Sequence, residues 1–545
     1  MNLEIIEHHQ QQVLEAFSRG EFDQIEIIGE ADEKEFFELC FREKILARLA
    51  EQMPTEREKE EVPLWFELAA NLTLKLHLEN CYSAFERVVQ CGGLLSAMPP
   101  ELANKHLDPQ TKAIWIQCRG FNDKNHYPRK TPCDDDTLRK AVRDVSFERW
   151  QEWFNGPVQQ VFQEYGFFDP RGIFVGDATY LFVPDNPEYE GSVVMWFDEH
   201  NHPVDYEKLD PQARKQAHRE RCYKLVSLLH LRGEHYVYAG LKVVAGNVHE
   251  DTVLYPMVER FVQAVGPGVM KLLILDRGFI DGKNIGRCKQ EWGIDVLIPM
   301  KRKMDIWNDA WALGQREPWQ NIPVVAPPTP RLVPERPPVI ARREAKRQAT
   351  LAQRRPAPNP AEVLTQHEYC WLKGFRSWSE LPVPINVLLI RERYADGHCQ
   401  EWALMTTRDY PDPPQARTDY GHRVKIEERH RQLKCFHDLS DFKSRSQNVI
   451  VAQVVFTLLS YTLRQWQLWR LHAQASPEQT PELMRPGLNL RKEYVVIYRA
   501  RAYAQVPLVR FTHLVLELEG AARQKALAKI HKLEQNLLNP QDDTS

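Results

Sequence analysis

The 545-residue chain lacks several common signatures, and each absence excludes a class. No two of its ten cysteines form a C-x-x-C pair and no histidine cluster completes a zinc spacing, so a zinc module is excluded. The longest apolar run, Val449–Leu463, is interrupted by Gln453 and Ser460. It falls short of the ~20 residues a bilayer requires and reads as a buried helix, so no membrane partner is expected. Residues 1–12 are polar, with no apolar signal region, so the expected location is the cytoplasm, with reduced thiols packed as small core residues. No period of 20–50 residues repeats. Net charge is nearly absent too: 71 Lys+Arg against 75 Asp+Glu leaves −4, which excludes a uniformly basic coat.

What is present is a large apolar fraction, 43%, enough to bury cores and to exclude disorder across the whole chain. The length implies three or four domains at roughly 150 residues each. Charge is sorted by position. Residues 21–61 carry 14 acidic and 6 basic side chains, net −8, and residues 331–355 carry 8 basic and 2 acidic, net +6. Residues 1–150 show apolar positions at three-to-four spacing and read as helical. From 171 the pattern shifts to strands at Gly172–Val183, Gly191–Phe197 and His235–Val244, a helix at Asn247–Val265, an apolar strand at Lys271–Leu275, a helix at Gly282–Trp292 and a strand at Asp295–Pro299. This order implies a mixed α/β layer with helices on the sheet. Residues 306–409 interrupt it. Asn321–Pro360 is dense in Pro and Arg and reads as a loop or arm, and strands resume at Ile385–Arg391 and Glu401–Thr406. Gln415–Cys435 and Asn448–His472 read as long helices, and Thr512–Leu538 as a terminal helix that docks or pairs.

Three carboxylates stand out by context. Asp177 interrupts the apolar strand Phe174–Tyr180, Asp276 ends the apolar run before Arg277-Gly278, and Glu427 lies on the helix Gln415–Cys435. A buried carboxylate is costly unless paired or metal-bound. On that helix Tyr420, Arg423, Glu427 and Lys434 fall at i, i+3, i+7 and i+14, which at about 100° per residue places them on one stripe. Ile426, Leu433 and Phe436 fall on the opposite side, facing a core. A phenol and two cations suit phosphate oxygens, and a carboxylate among them suits a divalent metal. A salt-bridged solvated face would show the same spacing.

Tyr420-x2-Arg423-x3-Glu427-x6-Lys434 resembles, at every spacing, the signature of DDE transposases of the insertion-sequence-four (YREK) type. Asp177 on the first strand and Asp276-Arg277-Gly278 after the fourth match the places of that family's first two catalytic carboxylates. Trp402-Ala403-Leu404-Met405-Thr406-Thr407 resembles the run whose Trp stacks on a flipped base in that family. Val424 departs from relatives that carry Trp there.

The resemblance, spanning roughly 165–475, implies an α/β fold: a ribonuclease-H-like mixed sheet with flanking helices, interrupted by a β-rich insertion, plus helical N-terminal and C-terminal regions. The expected organisation is a DNA-end-binding region over 1–150, a core split into 165–305 and 410–475, an insertion with its basic arm over 306–409, and a tail over 476–545 open to dimerisation. It implies cut-and-paste DNA transposition by two Mg²⁺ ions, for which Mn²⁺ can substitute, held by Asp177, Asp276 and Glu427. Tyr420, Arg423, Lys434, Arg277 and Trp402 would contact DNA. The implied partners are terminal inverted repeats, target DNA and a second copy of the chain, with a bacterial, nucleoid-associated location when bound. The alternatives are a silent DNA-binding descendant and a ribonuclease-H-like nuclease without strand transfer.

Overall fold

The computed structural model describes residues 4–29, 31–58, 62–85, 88–89, 93–99, 102–111, 114–118, 132–323, 364–474 and 493–538. The basic arm expected at 331–355 lies outside the described residues. Two mixed sheets organise the chain. The larger holds β1 (Ile173–Val183), β2 (Val193–Phe197), β3 (His218–Arg232), β4 (His235–Ala245), β5 (Leu272–Ile274), β6 (Asp295–Pro299), β7 (Gln320–Asn321), β8 (Leu364–Phe375), β9 (Ile385–Tyr394) and β10 (Cys399–Thr406). Their order is β7-β8-β9-β10-β6-β5-β1-β3-β2, with β4 also paired to β3. β1, β5 and β6 run parallel. β3 is antiparallel to β1, and its outer edge carries β2 along one half and β4 along the other.

The longest of these strands, β3, has no counterpart in the sequence reading. Its first half alternates charges, and Cys222–Leu231 is buried at every position, so the period of two that marks a half-exposed strand is absent. The strands described within residues 306–409 belong to this same sheet. β10 pairs antiparallel with β6, so β8–β10 extend the same sheet.

Helices cover both faces, and the period of two along β1 sorts them. Phe174 joins a core with Leu254 of α1 (Asp251–Val265) and Ile285 of α2 (Gly282–Trp292). Val175 and Leu181 join a core with Ile426 and Leu433 of α3 (Arg423–Phe436) and the apolar residues of α4 (Gln447–Gln474). Asp177 shares the parity of Val175 and so faces α3. α4 is buried along Val449–Leu463, between β4 and the helices Leu64–Leu76 and Phe147–Trp153. Among the described residues, no helix is long and apolar enough to cross a membrane.

The terminal regions correct the helical expectation. Glu4–His8, Gln24–Gly29, Ala103–Leu107 and Ile114–Cys118 are strands, and they join Glu493–Arg499 and Ala502–Pro507 in a six-stranded sheet. The two ends of the chain thus build one unit around Phe17, Phe22, Val495, Ile497 and Phe511. The terminal helix is two, Leu508–Glu517 and Gly520–Leu538, and the second docks on the chain's own N-terminal segment, where Lys525 Nζ donates to the Gly20 carbonyl at 3.0 Å. The helices Asp135–Asp144 and Phe147–Trp153 turn Leu138, Val142, Trp150 and Trp153 into the core.

Candidate active site

Asp177 sits mid-strand on β1 with its side chain 15% exposed, while Asp276 follows β5 and Glu427 projects from the first turns of α3, 37% and 46% exposed. Two glycines allow these elements to approach. A Cβ on Gly176 would lie 2.7 Å from Leu275 Cδ2 and 2.9 Å from Leu254 Cδ1, so glycine lets β5 and α1 close on β1 beside Asp177. A Cβ on Gly278 would lie 2.6 Å from Glu250 Oε1, which presses the loop after Asp276 against the start of α1.

Arg423 ties two of the carboxylates together. Its Nη2 is 3.4 Å from Asp276 Oδ2 and its Nη1 pairs with Glu427 Oε1. Against the pull of burial, the charges of Asp276, Asp177 and Glu427 hold its guanidinium above its ordinary pKa. Burial pushes the Asp177 carboxyl up to about 7; Arg423 opposes this, and the nearby Glu427 and Asp276 add to it.

The other signature residues divide. Gln415–Cys435 is two helices, Pro414–Tyr420 and α3, separated at Gly421-His422, so Tyr420 is not on the same helix as the rest. Its phenol, half-buried and pushed up to about 12 by burial, still feels Arg423, Asp276 and Arg277. Lys434 lies three turns below Arg423, with its Nζ donating to Thr179 Oγ1 at 2.7 Å. Burial lowers this ammonium to about 8, opposed by Asp177. Arg277 is exposed, with no ion-pair partner among the described residues. Trp402 is half-buried on β10 opposite Ile390, with the Arg417 guanidinium 4.1 Å over its ring and Tyr420 6.4 Å away. Ile426 and Leu433 are buried, as expected for the core side of α3.

Two polar groups at this site escape the sequence reading. Ser227 is the cross-strand partner of Asp177. The fully buried His430, one turn beyond Glu427, contacts Ser227 Oγ through Nε2 at 2.8 Å and stands with Nδ1 3.7 Å from Asp177 Oδ2. Burial lowers its imidazole to about 3. A histidine between arginines reads as solvated; only its place at i+3 from Glu427 and i−4 from Lys434 could have marked it.

The donor set is hard and anionic, which suits Mg²⁺ or Mn²⁺ rather than zinc. Among the described residues, no three such side chains are close enough to hold one ion in this arrangement. Arg423, pairing with both Asp276 and Glu427, supplies the positive charge between them.

A comparison with curated proteins finds no match. Among solved structures, a cryo-EM structure of a piggyBac transposase synaptic complex with hairpin DNA is similar at a TM-score of 0.29 and 9% identity, over 84% of this chain and 86% of that one, a likeness too distant to carry an argument. Residues 177–463, more than half of the sequence, match the transposase DDE domain family. That stretch begins at Asp177 and takes in Asp276 and Glu427, and the chain belongs to the DDE transposases.

Proposed function

We propose that this DDE transposase is of the insertion-sequence-four (YREK) type and moves a DNA element by cutting its ends and joining them to a target. The observation that carries this reading is the convergence of Asp177, Asp276 and Glu427 from β1, β5 and α3, with Arg423 among them. The order β4-β3-β1-β5-β6, with β1, β5 and β6 parallel, supports a ribonuclease-H-like core.

Strand transfer is an in-line displacement at a phosphodiester, so the protein supplies position and charge. Asp177, Asp276 and Glu427 would hold two divalent cations, which when bound activate the attacking water or 3′-hydroxyl and stabilise the leaving oxygen. Arg423 exchanges its carboxylate partners for the phosphate beside the cut. Lys434 and Tyr420 hold neighbouring phosphate oxygens, and Arg277, which has no ion-pair partner among the described residues, is available to the same backbone. Trp402, near Tyr420 and with Arg417 over one ring face, is the residue on which a displaced base would stack. Two copies of the chain hold the two ends of the element.

Asp177→Asn, Asp276→Asn and Glu427→Gln are each expected to abolish Mg²⁺-dependent nicking of a duplex carrying the flanking inverted repeats, with end binding retained. Full nicking by any one removes that residue from the triad. Joining of 3′ ends to a target plasmid separates a transposase from a nuclease that only cuts.

A further inference from the structure

We propose that His430 is a positioning residue that holds Asp177 through one carboxylate oxygen, with its tautomer set by Ser227. The proposal rests on the reading of Asp177 as a catalytic carboxylate and adds two residues outside the signature.

The backbone register supplies the first step. Asp177 and Ser227 are directly opposed on antiparallel β1 and β3, so their side chains stand side by side on the face that α3 covers. α3 crosses that face and places His430 over both, with Nε2 2.8 Å from Ser227 Oγ and Nδ1 3.7 Å from Asp177 Oδ2. His430 is 3% exposed and Ser227 is fully buried, so neither draws on solvent for a partner.

Proton count supplies the second step. A neutral imidazole carries one N–H, and a hydroxyl can donate or accept. With the Ser227 hydroxyl donating to Nε2, the imidazole proton sits on Nδ1 and faces the carboxylate. The other tautomer would aim a bare nitrogen lone pair at Asp177 Oδ2. With Asp177 ionised, the form that binds a cation, the first arrangement satisfies all three groups and the second does not. It has the logic of carboxylate–histidine pairs around metals, where an outer group fixes a ligand's orientation. At 3.7 Å the Nδ1–Oδ2 contact is longer than a hydrogen bond, and an N–H facing the carboxylate at that distance still favours this orientation electrostatically. Holding Oδ2 removes one rotational freedom from the carboxylate and leaves its other oxygen for that cation.

The test is Mn²⁺ binding to the metal-free full-length chain, read by the electron paramagnetic resonance signal of free Mn²⁺. Ser227→Ala and His430→Gln are expected to weaken binding roughly tenfold or more, the usual range for outer-shell partners. His430→Asn keeps a donor near the Nδ1 position and is expected to bind more tightly than His430→Gln, a ranking that mere loss of packing would not produce. Wild-type affinity in both Ser227→Ala and His430→Gln, with Asp177→Asn weakened, overturns the proposal and leaves the catalytic reading intact. Wild-type affinity in Asp177→Asn overturns the catalytic reading itself. If the His430 variants do not fold, as judged by circular dichroism, the small Ser227→Ala deletion decides alone.

Discussion

Asp177 should make the metal-free protein less stable as the pH rises, and Asp177→Asn should relieve this. The carboxyl rises from an ordinary 3.8 to about 7 in the folded chain, chiefly through burial. The folded state therefore keeps a proton that the unfolded chain releases, and stability falls as pH climbs from about 4 to about 7. Three pH units at ~1.4 kcal/mol each give about 4 kcal/mol, an upper bound that is a large fraction of the 5–15 kcal/mol typical of a folded domain. Asparagine keeps the shape and cannot ionise. Its stability advantage over wild type should be small near pH 4, grow through pH 5 and 6, and level off above pH 7. The measurement is the difference in urea midpoint between the two proteins at matched pH, in EDTA, followed by tryptophan fluorescence. A difference that stays flat from pH 4 to 8, or an asparagine variant that is the less stable one at pH 8, refutes the account of a buried, charge-crowded carboxylate. Adding Mg²⁺ at pH 8 should narrow the gap by stabilising wild type alone.

Three further outcomes are expected. Because Arg423 opposes the upward push on Asp177, Arg423→Gln should move the pH at which that dependence levels off to a higher value, measured with the same pair of denaturation series; an unchanged upper limit would mean the guanidinium does not reach Asp177. Lys434, lowered to about 8, is charged below that pH and neutral above it, so its help to DNA binding should fade as pH rises through 8. Lys434→Ala should reduce the slope of log affinity against log salt by about 0.9 at pH 7 and by much less at pH 9, in fluorescence anisotropy with end duplex. Gly176→Ala should cost about 1–3 kcal/mol in urea denaturation, since its Cβ would meet Leu275 and Leu254 inside van der Waals contact; a neutral effect would show that β5 and α1 can shift without loss.

The candidate site was legible because its signals are local. Asp177 is a charge inside an apolar strand, Asp276 closes an apolar run, and the spacing from Arg423 to Lys434 lies on one helix. Tyr420 shows the limit of that logic, since a helical period continues across Gly421-His422 while the helix does not. The terminal sheet was hidden by distance. Gln10 and Gln505 bond to each other across 495 positions, and the strands at that junction, Glu4–His8 and Ala502–Pro507, are only five and six residues long, too short to display a period. β3 was hidden by burial on both faces, which erases alternation.

His430 joins these two kinds of evidence. α3 must dock on the sheet and also present acid at its edge, and one helix face serves both ends. Ile426 and Leu433 are fully buried, Glu427 is nearly half exposed, and His430 lies between them in sequence and against β1 and β3 in space. A leucine at 430 would pack as well but would leave the buried Ser227 hydroxyl without its partner, at a cost of ~1–3 kcal/mol, and would take away the group facing Asp177. An arginine or lysine would bring a charge that burial penalises and would compete with a cation for Asp177. A neutral imidazole can accept from Ser227, turn a donor to Asp177 and carry no charge, and its rigid ring holds those two atoms at a fixed span, which suits the two strands beneath it.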